Sequence, residues 1–285
     1  MESIRDLRIR LKSISSTRQI TESMRLIATR KVLKTRQRME VNRPYLFQNE
    51  IIKNTMLSNP SYAENIFIKK REVGKTLVIL ITGDRGLCAG YNVNASKEAV
   101  TLSKNLAAPI FVTVGKKGND YLRRRRQTIV KSYRGKSENP FYEDAQDLAD
   151  LVTDLFSKKE IDQAYVVYTK YHSMINLIPT SQLILPLERR GDDREKNPDF
   201  ITRYDSDAES FINRSAYMYV ASVIFGAMLE SAACEQASRV MGMDAATKNC
   251  DKIIETLNLQ YNQMRQSAIT QEIAEIVGGA QLTGK

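Results

Sequence analysis

The sequence predicts an α/β protein in which a long antiparallel coiled coil of N- and C-terminal helices accompanies a central, parallel-rich α/β domain. Three observations support this prediction. Residues 1–43 contain neither glycine nor proline, and no proline follows Pro198. Apolar residues near both ends recur every three or four positions, as on one face of a helix. Between the ends, buried-strand patterns alternate with helix patterns, which is typical of a parallel sheet with crossover helices.

The first predicted element is a coiled-coil helix within residues 1–60. Its apolar stripe starts with a three-and-four spacing at Ile4, Leu7, Leu11 and Ile14. Arg18 and Thr21 then interrupt the stripe. Apolar residues resume in a different phase at Ile20, Met24 and Ile27. This slip in phase predicts a stutter, which would change the supercoil locally.

The central segment, residues 74–190, is predicted to be the α/β domain. Its strands are expected at Thr76–Thr82, Pro109–Val114, Gln163–Thr169 and Gln182–Leu187. Helices are expected near 92–105, through Arg123–Arg126, and over 141–157. The first strand is a continuous apolar run, which indicates burial on both faces of the sheet. The polar segment 188–208 predicts an exposed linker.

The last predicted element is a coiled-coil helix within residues 209–285. A stripe with three-and-four spacing runs through Ile254, Leu257, Tyr261, Met264 and Ala268, and then shifts to Ile269, Ile273, Ile276 and Ala280. A continuous helix over 210–276 would be on the order of 100 Å long. Because each long helix needs a partner for its stripe, we expect the two to pair with each other.

The charge of the chain is concentrated at its N-terminal end. The formal net charge is +10, and residues 1–43 carry 12 Lys/Arg against 4 Asp/Glu. A basic helix of this kind favours an acidic partner, either nucleic acid, a membrane surface or a protein with a rim of carboxylates.

The composition gives little indication of a catalytic site, a metal site or a membrane span. His172 is the only histidine, and the cysteines Cys88, Cys234 and Cys250 are far apart without metal-ligand spacing. We therefore expect reduced thiols, no metal and no cofactor. No window of about 18 apolar residues stands out as a membrane span, and the N-terminus has no apolar signal core. These features indicate a soluble cytosolic protein.

The glycine-rich turn after the first strand is the one motif that suggests a ligand. Gly83, Gly86 and Gly90 lie between a strand and a helix, where phosphate can bind at a helix N-terminus. The turn lacks both the GK[ST] ending and the GxGxxG pattern, so a structural or protein-docking turn is the favoured interpretation. The run Arg123–Arg126 lacks interleaved aromatic residues, which argues against nucleic acid. A nucleotide-binding enzyme and a basic adaptor or nucleic-acid-binding protein remain the alternatives.

Four separated segments resemble one family in the same order along the chain. They are residues 262–277 (NQMRQSAITQEIAEIV), residues 3–39, residues 81–92 (ITGDRGLCAGYN) and residues 211–250. Together they are similar to the gamma subunit of F-type ATP synthases. The chain departs from the family pattern at Ala89, where the family usually has glycine, and near Tyr204–Asp207, where a Glu-Pro pair is often found.

The resemblance implies a non-catalytic central rotor shaft. It implies alpha and beta subunits, an epsilon subunit and a c-subunit ring as partners, with no nucleic acid, no cofactor and no membrane span of its own. Proton or sodium flow would turn the ring and the shaft, and the shaft would cycle the catalytic sites. The expected location is the cytoplasmic face of a bacterial plasma membrane, held there through the complex.

The resemblance also assigns roles to individual residues. Contact with a beta-subunit loop is implied for Arg265, Gln266, Thr270 and Glu272. Residues facing the acidic collar of the beta subunits would be Met24, Arg25, Arg30, Lys31, Arg85 and Cys88. The bearing tip would contain Ile273, Ile276 and Val277. A ring-facing loop would contain Tyr204, Asp205 and Asp207.

Overall fold

The computed structural model describes residues 3–188 and 208–283, and the side chains of the last helix over 209–277. The helices are α1 (Ile4–Ser58), α2 (Tyr91–Ser103), α3 (Lys116–Arg124), α4 (Tyr142–Ser157) and α5 (Ala208–Thr283), with a short 3₁₀ turn at Pro60–Tyr62. The strands are β1 (Thr76–Ile81), β2 (Pro109–Val114), β3 (Ile129–Tyr133), β4 (Gln163–Tyr171) and β5 (Leu177–Leu185). This element order confirms the predicted fold class.

The chain forms two compact units, and both long helices take part in each. The coil unit consists of Met1–Ile27 and Val240–Lys285, and the sheet unit consists of Ala28–Arg239. Each unit is described by itself below. The division of the sequence into domains at 1–60, 74–190 and 209–285 stays a prediction.

The sheet has the strand order β3-β2-β1-β4-β5. The pairs β1–β2, β1–β4 and β2–β3 are parallel, and only the edge strand β5 runs antiparallel to its neighbour β4. Thr76 pairs with Pro109 on one side and with Gln163 on the other, so the parallel strands begin at one shared edge. This topology confirms the predicted parallel-rich sheet.

Strand β1 is buried on both faces because its side chains alternate between two cores. Leu77, Ile79 and Ile81 pack into a large cluster with apolar residues of α4 and α5. Val78 and Leu80 face the other side, where they pack with residues of α2 and α3. The continuous apolar run in the sequence therefore predicted this strand correctly.

Two strands differ from the sequence-based prediction. The prediction missed β3, since its five residues Ile-Val-Lys-Ser-Tyr are half exposed and carry a weak apolar signal. The last strand is Leu177–Leu185 rather than Gln182–Leu187. As an edge strand, β5 is covered incompletely, so its polar Thr-Ser-Gln segment at 180–182 remains in the strand.

The coil unit contains an uninterrupted seam on α1, which overturns the predicted stutter. Leu7 is buried, and the half-buried positions that follow continue the same spacing through Arg18 and Thr21. Ile20 and Ile27, which the prediction placed on the packed stripe, are 56% and 57% exposed. Polar side chains occupy the seam there because they find partners on α5, so the apolar pattern alone misplaced the packed face.

The α5 seam of the coil unit matches the first predicted stripe only. Its packed or half-packed positions are Ile254, Leu257, Tyr261, Met264 and Ala268. The second predicted stripe is wrong as a packing face, since Ile269, Ile273 and Ile276 are all exposed. Arg8 of α1 donates to the Tyr261 hydroxyl at 2.8 Å, so the first turns of α1 lie opposite this part of α5. The side chain of Ala280 lies outside the described residues.

Helix α5 is long and apolar enough over Glu209–Val277 to pass a composition test for a membrane span. The sequence-based statement that no window is apolar enough is therefore wrong for this helix. Of the apolar window, 78% is buried inside the protein, as in the core helix of a soluble protein. The apolar residues of α5 thus already have a packing role.

Candidate functional site

The outward face of α5 near residue 265 is open to solvent. Arg265, Gln266, Thr270 and Glu272 are all exposed. Met264 and Ala268 on the same turns are half-buried, so the seam points the other way. The Thr270 hydroxyl donates to the backbone oxygen of Gln266 at 2.9 Å, which leaves the Gln266 amide outside that bond. These four residues form a polar face that a partner could contact.

The predicted bearing tip is an exposed apolar surface. Ile273, Ile276 and Val277 are 57%, 71% and 53% exposed. Gln271 donates to Glu275 at 3.0 Å along the same turns, which keeps polar groups on a neighbouring face. Large aliphatic side chains gathered on an exposed helix end are typical of a contact surface.

Within the coil unit, Met24 and Arg25 have different surroundings. Met24 is 36% exposed. Arg25 is held by Glu22 on its own helix, with Nη2–Oε1 and Nε–Oε2 distances of 2.7 and 3.2 Å. The hydrogen bond from Arg25 lowers the pKa of Glu22. Met24 is therefore directly available to a partner, whereas Arg25 would have to exchange an existing ion pair.

In the sheet unit, Lys31 and Arg85 are brought together around Glu138. Lys31 makes an ion pair with Glu138, which lies in the loop between β3 and α4. The hydrogen bond from Lys31, and to a smaller extent the charge of Arg85, lower the pKa of Glu138. Arg85 is exposed on the glycine turn, and Arg30 is exposed on α1. Lys31 is thus already paired, while Arg30 and Arg85 present their charges to solvent.

The glycine turn is organised by Asp84. Its carboxylate accepts hydrogen bonds from Lys116 N at 3.0 Å, Gly135 N at 3.0 Å and the Ser137 hydroxyl at 2.8 Å. The side chain therefore joins the turn after β1 to the start of α3 and to the loop after β3. A turn fixed by three such bonds is a rigid surface feature.

Helix α5 fixes the other side of the turn. Ser238 donates to the Cys88 carbonyl at 2.7 Å, and Arg239 donates to the Gly86 carbonyl at 3.3 Å. Cys88 itself is 2% exposed and accepts a 3.0 Å hydrogen bond from Asn92 on its sulfur. Burial raises the pKa of the Cys88 thiol. The exposed residues of the turn are Arg85, Leu87, Ala89 and Gly90, and the thiol of Cys88 is buried among them.

The glycine turn leads directly into α2, and it also contacts the start of α3. The first amide of α2, that of Tyr91, donates to the Cys88 carbonyl at 3.2 Å. At the start of α3, Lys116 N donates to Asp84, Lys117 N donates to the Gly83 carbonyl at 3.1 Å, and Gly118 N donates to the Thr82 hydroxyl at 2.9 Å. These bonds tie the turn to α3 and add to its rigidity.

A buried ion pair beneath the turn escaped the sequence analysis. Glu235 and Arg239 are 2% and 12% exposed and are joined by an Oε1–Nη2 distance of 2.6 Å. Burial raises the pKa of Glu235, and the hydrogen bond and charge of Arg239 partly oppose the rise. The signal was an i,i+4 acid–arginine spacing within an otherwise small and apolar helical stretch. Such a pair on a buried face indicates a specific structural task.

Two further predictions concern the ring-facing loop and metal binding. Tyr204, Asp205 and Asp207 of the proposed ring-facing loop lie outside the described residues. Over residues 3–188 and 208–283, no cluster of three or more His, Cys, Asp or Glu side chains has a geometry that could hold a metal ion.

The fold and these surfaces define a class: a long two-helix coil joined in sequence to an α/β sheet unit, with exposed contact faces and a glycine turn held by hydrogen bonds. Comparison with known proteins identifies it. A family model described as ATP synthase matches residues 3–281. The ATP synthase gamma chain, sodium ion specific, of Acetobacterium woodii is 38% identical over 98% of both chains. The gamma chain of Alkaliphilus metalliredigens is 36% identical over 98% of both chains.

Solved structures agree with this result. A chain of the central stalk and c-ring of the Tetrahymena thermophila mitochondrial ATP synthase is 26% identical, with a TM-score of 0.62 over 80% of this chain and 99% of that one. A chain of the Euglena gracilis mitochondrial enzyme has a TM-score of 0.69 at 18% identity over 98% and 94% of the two chains, which shows the shared fold. The chain belongs to the ATP synthase gamma-chain family, the central-stalk component of the rotor.

Proposed function

We propose that this chain couples the rotation of an ion-driven c-subunit ring to ATP synthesis or hydrolysis on alpha and beta subunits, and that it carries no catalytic site of its own. The observation that supports this most directly is the end of α5. A polar face at 265–272 and an apolar tip at 273–277 are both exposed, although the seam of the same coil is packed. Such a helix end suits a bearing that slides against surrounding subunits.

The proposed partners follow the exposed groups. Arg265 and Gln266 offer donors and an acceptor to a beta-subunit loop. Met24, Arg30 and Arg85 would face the acidic collar, and Arg25 and Lys31 would join it by exchanging their present carboxylates. Cys88 would support the collar contact from beneath the turn. An epsilon subunit and the c-ring complete the proposed assembly, and the loop at 204–207 is proposed to face the ring.

The proposed location is the cytoplasmic face of a bacterial plasma membrane, with attachment through the complex. Several bacterial relatives carry the gamma-chain name, which supports this assignment. The ion that drives the ring is a property of the ring, and this chain leaves proton and sodium coupling equally open.

Purification of the tagged chain from its own cells at moderate salt tests the proposal. We expect alpha, beta and epsilon subunits to accompany the chain, and the purified assembly to hydrolyse ATP. A chain that purifies alone, or whose only companion is nucleic acid, would contradict the proposal. Saturable ATP binding by the isolated chain would favour the nucleotide-binding alternative.

A further inference from the structure

The edge of the sheet at which the parallel strands begin carries many cations. Four segments lead into β1, β2, β3 and β4 at this edge, namely 72–75, 104–108, 123–128 and 158–162. Backbone hydrogen bonds hold these segments beside one another: Asp162 N donates to Lys75 O (2.9 Å), Thr76 N at the start of β1 donates to Ala107 O (3.1 Å), and Phe111 N of β2 donates to Thr128 O (2.8 Å). Four adjacent strands make this edge roughly 15 Å wide. We name these four segments the basic edge.

The positive charge of the basic edge is mostly uncompensated. Its segments contain eight Lys or Arg and three Asp or Glu residues. The cations are Lys75, Lys104, Arg123, Arg124, Arg125, Arg126, Lys158 and Lys159. Lys158 pairs with Asp154 at 2.7 Å, and Asp162 accepts the backbone amides of Gly74 and Lys75 at 2.9 and 3.0 Å. The other seven cations are exposed and make no ion pair within the described parts of the chain.

A local cause accounts for part of this pattern. Helices α2, α3 and α4 end at this edge, and a helix C-terminus favours nearby cations. Arg126 and Lys159 have φ values of 56° and 58°, in the left-handed region where glycine usually ends a helix, so a side chain at either corner is strained. Ala108 occupies a third such corner at the same edge with a φ of 36°, so these corners accommodate cations without requiring them. Lys75 precedes β1 without a helix before it, so helix ends do not explain every cation of the edge.

We propose that the basic edge binds the anionic headgroups of a membrane leaflet. The inference rests on the proposed function. The glycine turn follows the carboxyl end of β1, so the basic edge lies at the opposite end of the strands. If the turn faces the catalytic subunits, the basic edge faces away from them, toward the side of the ring and its membrane.

Lipid headgroups fit this surface better than nucleic acid does. The cations lie on exposed segments between helices and strands, and long flexible side chains there suit a diffuse layer of negative charge. Arg125 lies over the ring of the neighbouring Tyr121, 3.7 Å from the ring centre, and so occupies one face on which a base could stack. A fluid headgroup layer also allows a turning protein to slide without forming fixed ion pairs.

Vesicle binding by the full-length chain tests the proposal. Phosphatidylcholine vesicles with and without phosphatidylglycerol would be compared in sedimentation at low and physiological salt. We expect binding only with the anionic lipid, and weaker binding at higher salt. Changing Arg123, Arg124, Arg125 and Arg126 to Gln should weaken apparent affinity at least about tenfold. The matched control changes four exposed cations outside the edge, Arg5, Lys12, Lys34 and Lys252, to Gln.

A second variant separates loss of lipid binding from loss of folding. Arg126→Gly with Lys159→Gly relieves two strained corners, so it should be at least as thermostable as the original chain and still bind vesicles less well. Equal losses in the edge variant and the control would show a general charge effect and overturn the proposal, as would a lack of binding to anionic vesicles. Loss of binding to single-stranded DNA without loss of vesicle binding would assign the edge to nucleic acid instead. Copurification of the other subunits tests the proposed function independently. Failure of vesicle binding would therefore overturn the lipid proposal without contradicting the rotor assignment.

Discussion

Thr21 on α1 and Thr247 on α5 meet across the coil unit with their hydroxyl oxygens 2.8 Å apart. A backbone oxygen of its own helix also lies near each hydroxyl, that of Arg18 at 2.9 Å for Thr21 and that of Met243 at 2.9 Å for Thr247. Because each hydroxyl carries one proton, one threonine donates to the other across the seam, and the second donates to its own helix. The two threonines therefore satisfy each other inside the seam and fix which turns of the antiparallel helices lie opposite one another. Polar seam residues commonly set register in this way.

A double-mutant cycle on this pair should show strong coupling. Thr21→Val or Thr247→Val alone is expected to cost about 1 kcal/mol, because the remaining hydroxyl loses its partner across the seam. The double variant should cost less than the sum, since valine has a similar shape and the seam becomes apolar on both sides. Local opening free energies from hydrogen exchange of amides near residues 18–25 would measure this.

Strictly additive effects would contradict the pairing. Thr17→Val provides the control, because the Thr17 hydroxyl bonds only the Ser13 carbonyl of its own helix at 3.0 Å and the side chain is exposed. That substitution should leave the local opening free energies nearly unchanged and should show no coupling to Thr247→Val.

The polar seam also explains where sequence reasoning failed. A search for apolar periodicity followed Ile20, Met24 and Ile27, whereas in the structure the half-buried face with Arg18 and Thr21 packs against α5. Arg18 reaches Asp251 at 2.5 Å, so a charged residue is accommodated in the seam by a partner more than 200 positions away in the sequence. No local pattern contains that pairing, and it could only be found with the second helix in place.

Elements with strong local signals were predicted well. Strand β2 was placed correctly at Pro109–Val114, and β1 within one residue, because continuous apolar runs between glycine turns and helices have few alternative structures. The glycine turn was located by its residues. Its rigidity was not foreseen, because it depends on Asp84 and on Ser238 and Arg239 of a distant helix.

Ala89→Gly should stabilise the sheet unit. Ala89 has a φ of 44°, a left-handed conformation that costs a residue with a Cβ about 1–2 kcal/mol. Glycine relieves that cost and loses roughly 0.5–1 kcal/mol in additional chain entropy. We expect a small net gain and a rise in the thermal midpoint. Ala99→Gly, at a buried position inside α2, should instead lower it clearly. A lower midpoint for Ala89→Gly would show that its backbone is unstrained.

The buried pair under the turn should be sensitive to loss of its cation. Arg239→Met removes the partner of Glu235 and the donor to the Gly86 carbonyl, and leaves a carboxylate buried. We expect a loss of about 3 kcal/mol in urea unfolding. Adding Glu235→Gln should recover much of it, because the buried charge is then absent. Failure of this rescue would show that the lost hydrogen bond to the Gly86 carbonyl accounts for the loss of stability.

Glu230→Gln should flatten the pH dependence of stability. Burial raises the pKa of Glu230, although the charges of Lys170 and Arg43 and the Tyr171 amide oppose the rise. A carboxyl with a raised folded-state pKa stabilises the fold fully below its unfolded pKa, and this contribution is lost as pH rises through the folded value. The thermal stability of the variant relative to the original chain should therefore be greatest at neutral and higher pH. Thermal midpoints across pH 4–8 test this, with exposed Glu255→Gln as control.

The outward face of α5 gives the sharpest test of the rotor proposal. Arg265 and Gln266 are adjacent and exposed, and the half-buried Met264 and Ala268 hold the seam on the other side of the helix. Their side chains can therefore be removed at little cost to the coil. A charge-assisted hydrogen bond contributes roughly 1.5–3 kcal/mol. If these residues bond a beta-subunit loop at one rotor angle and release it at the next, losing both should slow turnover about tenfold or more.

Arg265→Ala with Gln266→Ala should accordingly lower ATP turnover of the assembled enzyme while the melting temperature of the isolated chain stays nearly constant. Lys252→Ala with Asn258→Ala is the matched control, since both residues are exposed on the same helix and neither belongs to the proposed contact. Assembled complexes of the first variant with full turnover would remove these residues from the contact. A large fall in the melting temperature would show that they brace the coil. Equal slowing by the control would trace the effect to the surface charge and polarity of α5 in general, because only a specific contact can distinguish two exposed faces of one helix.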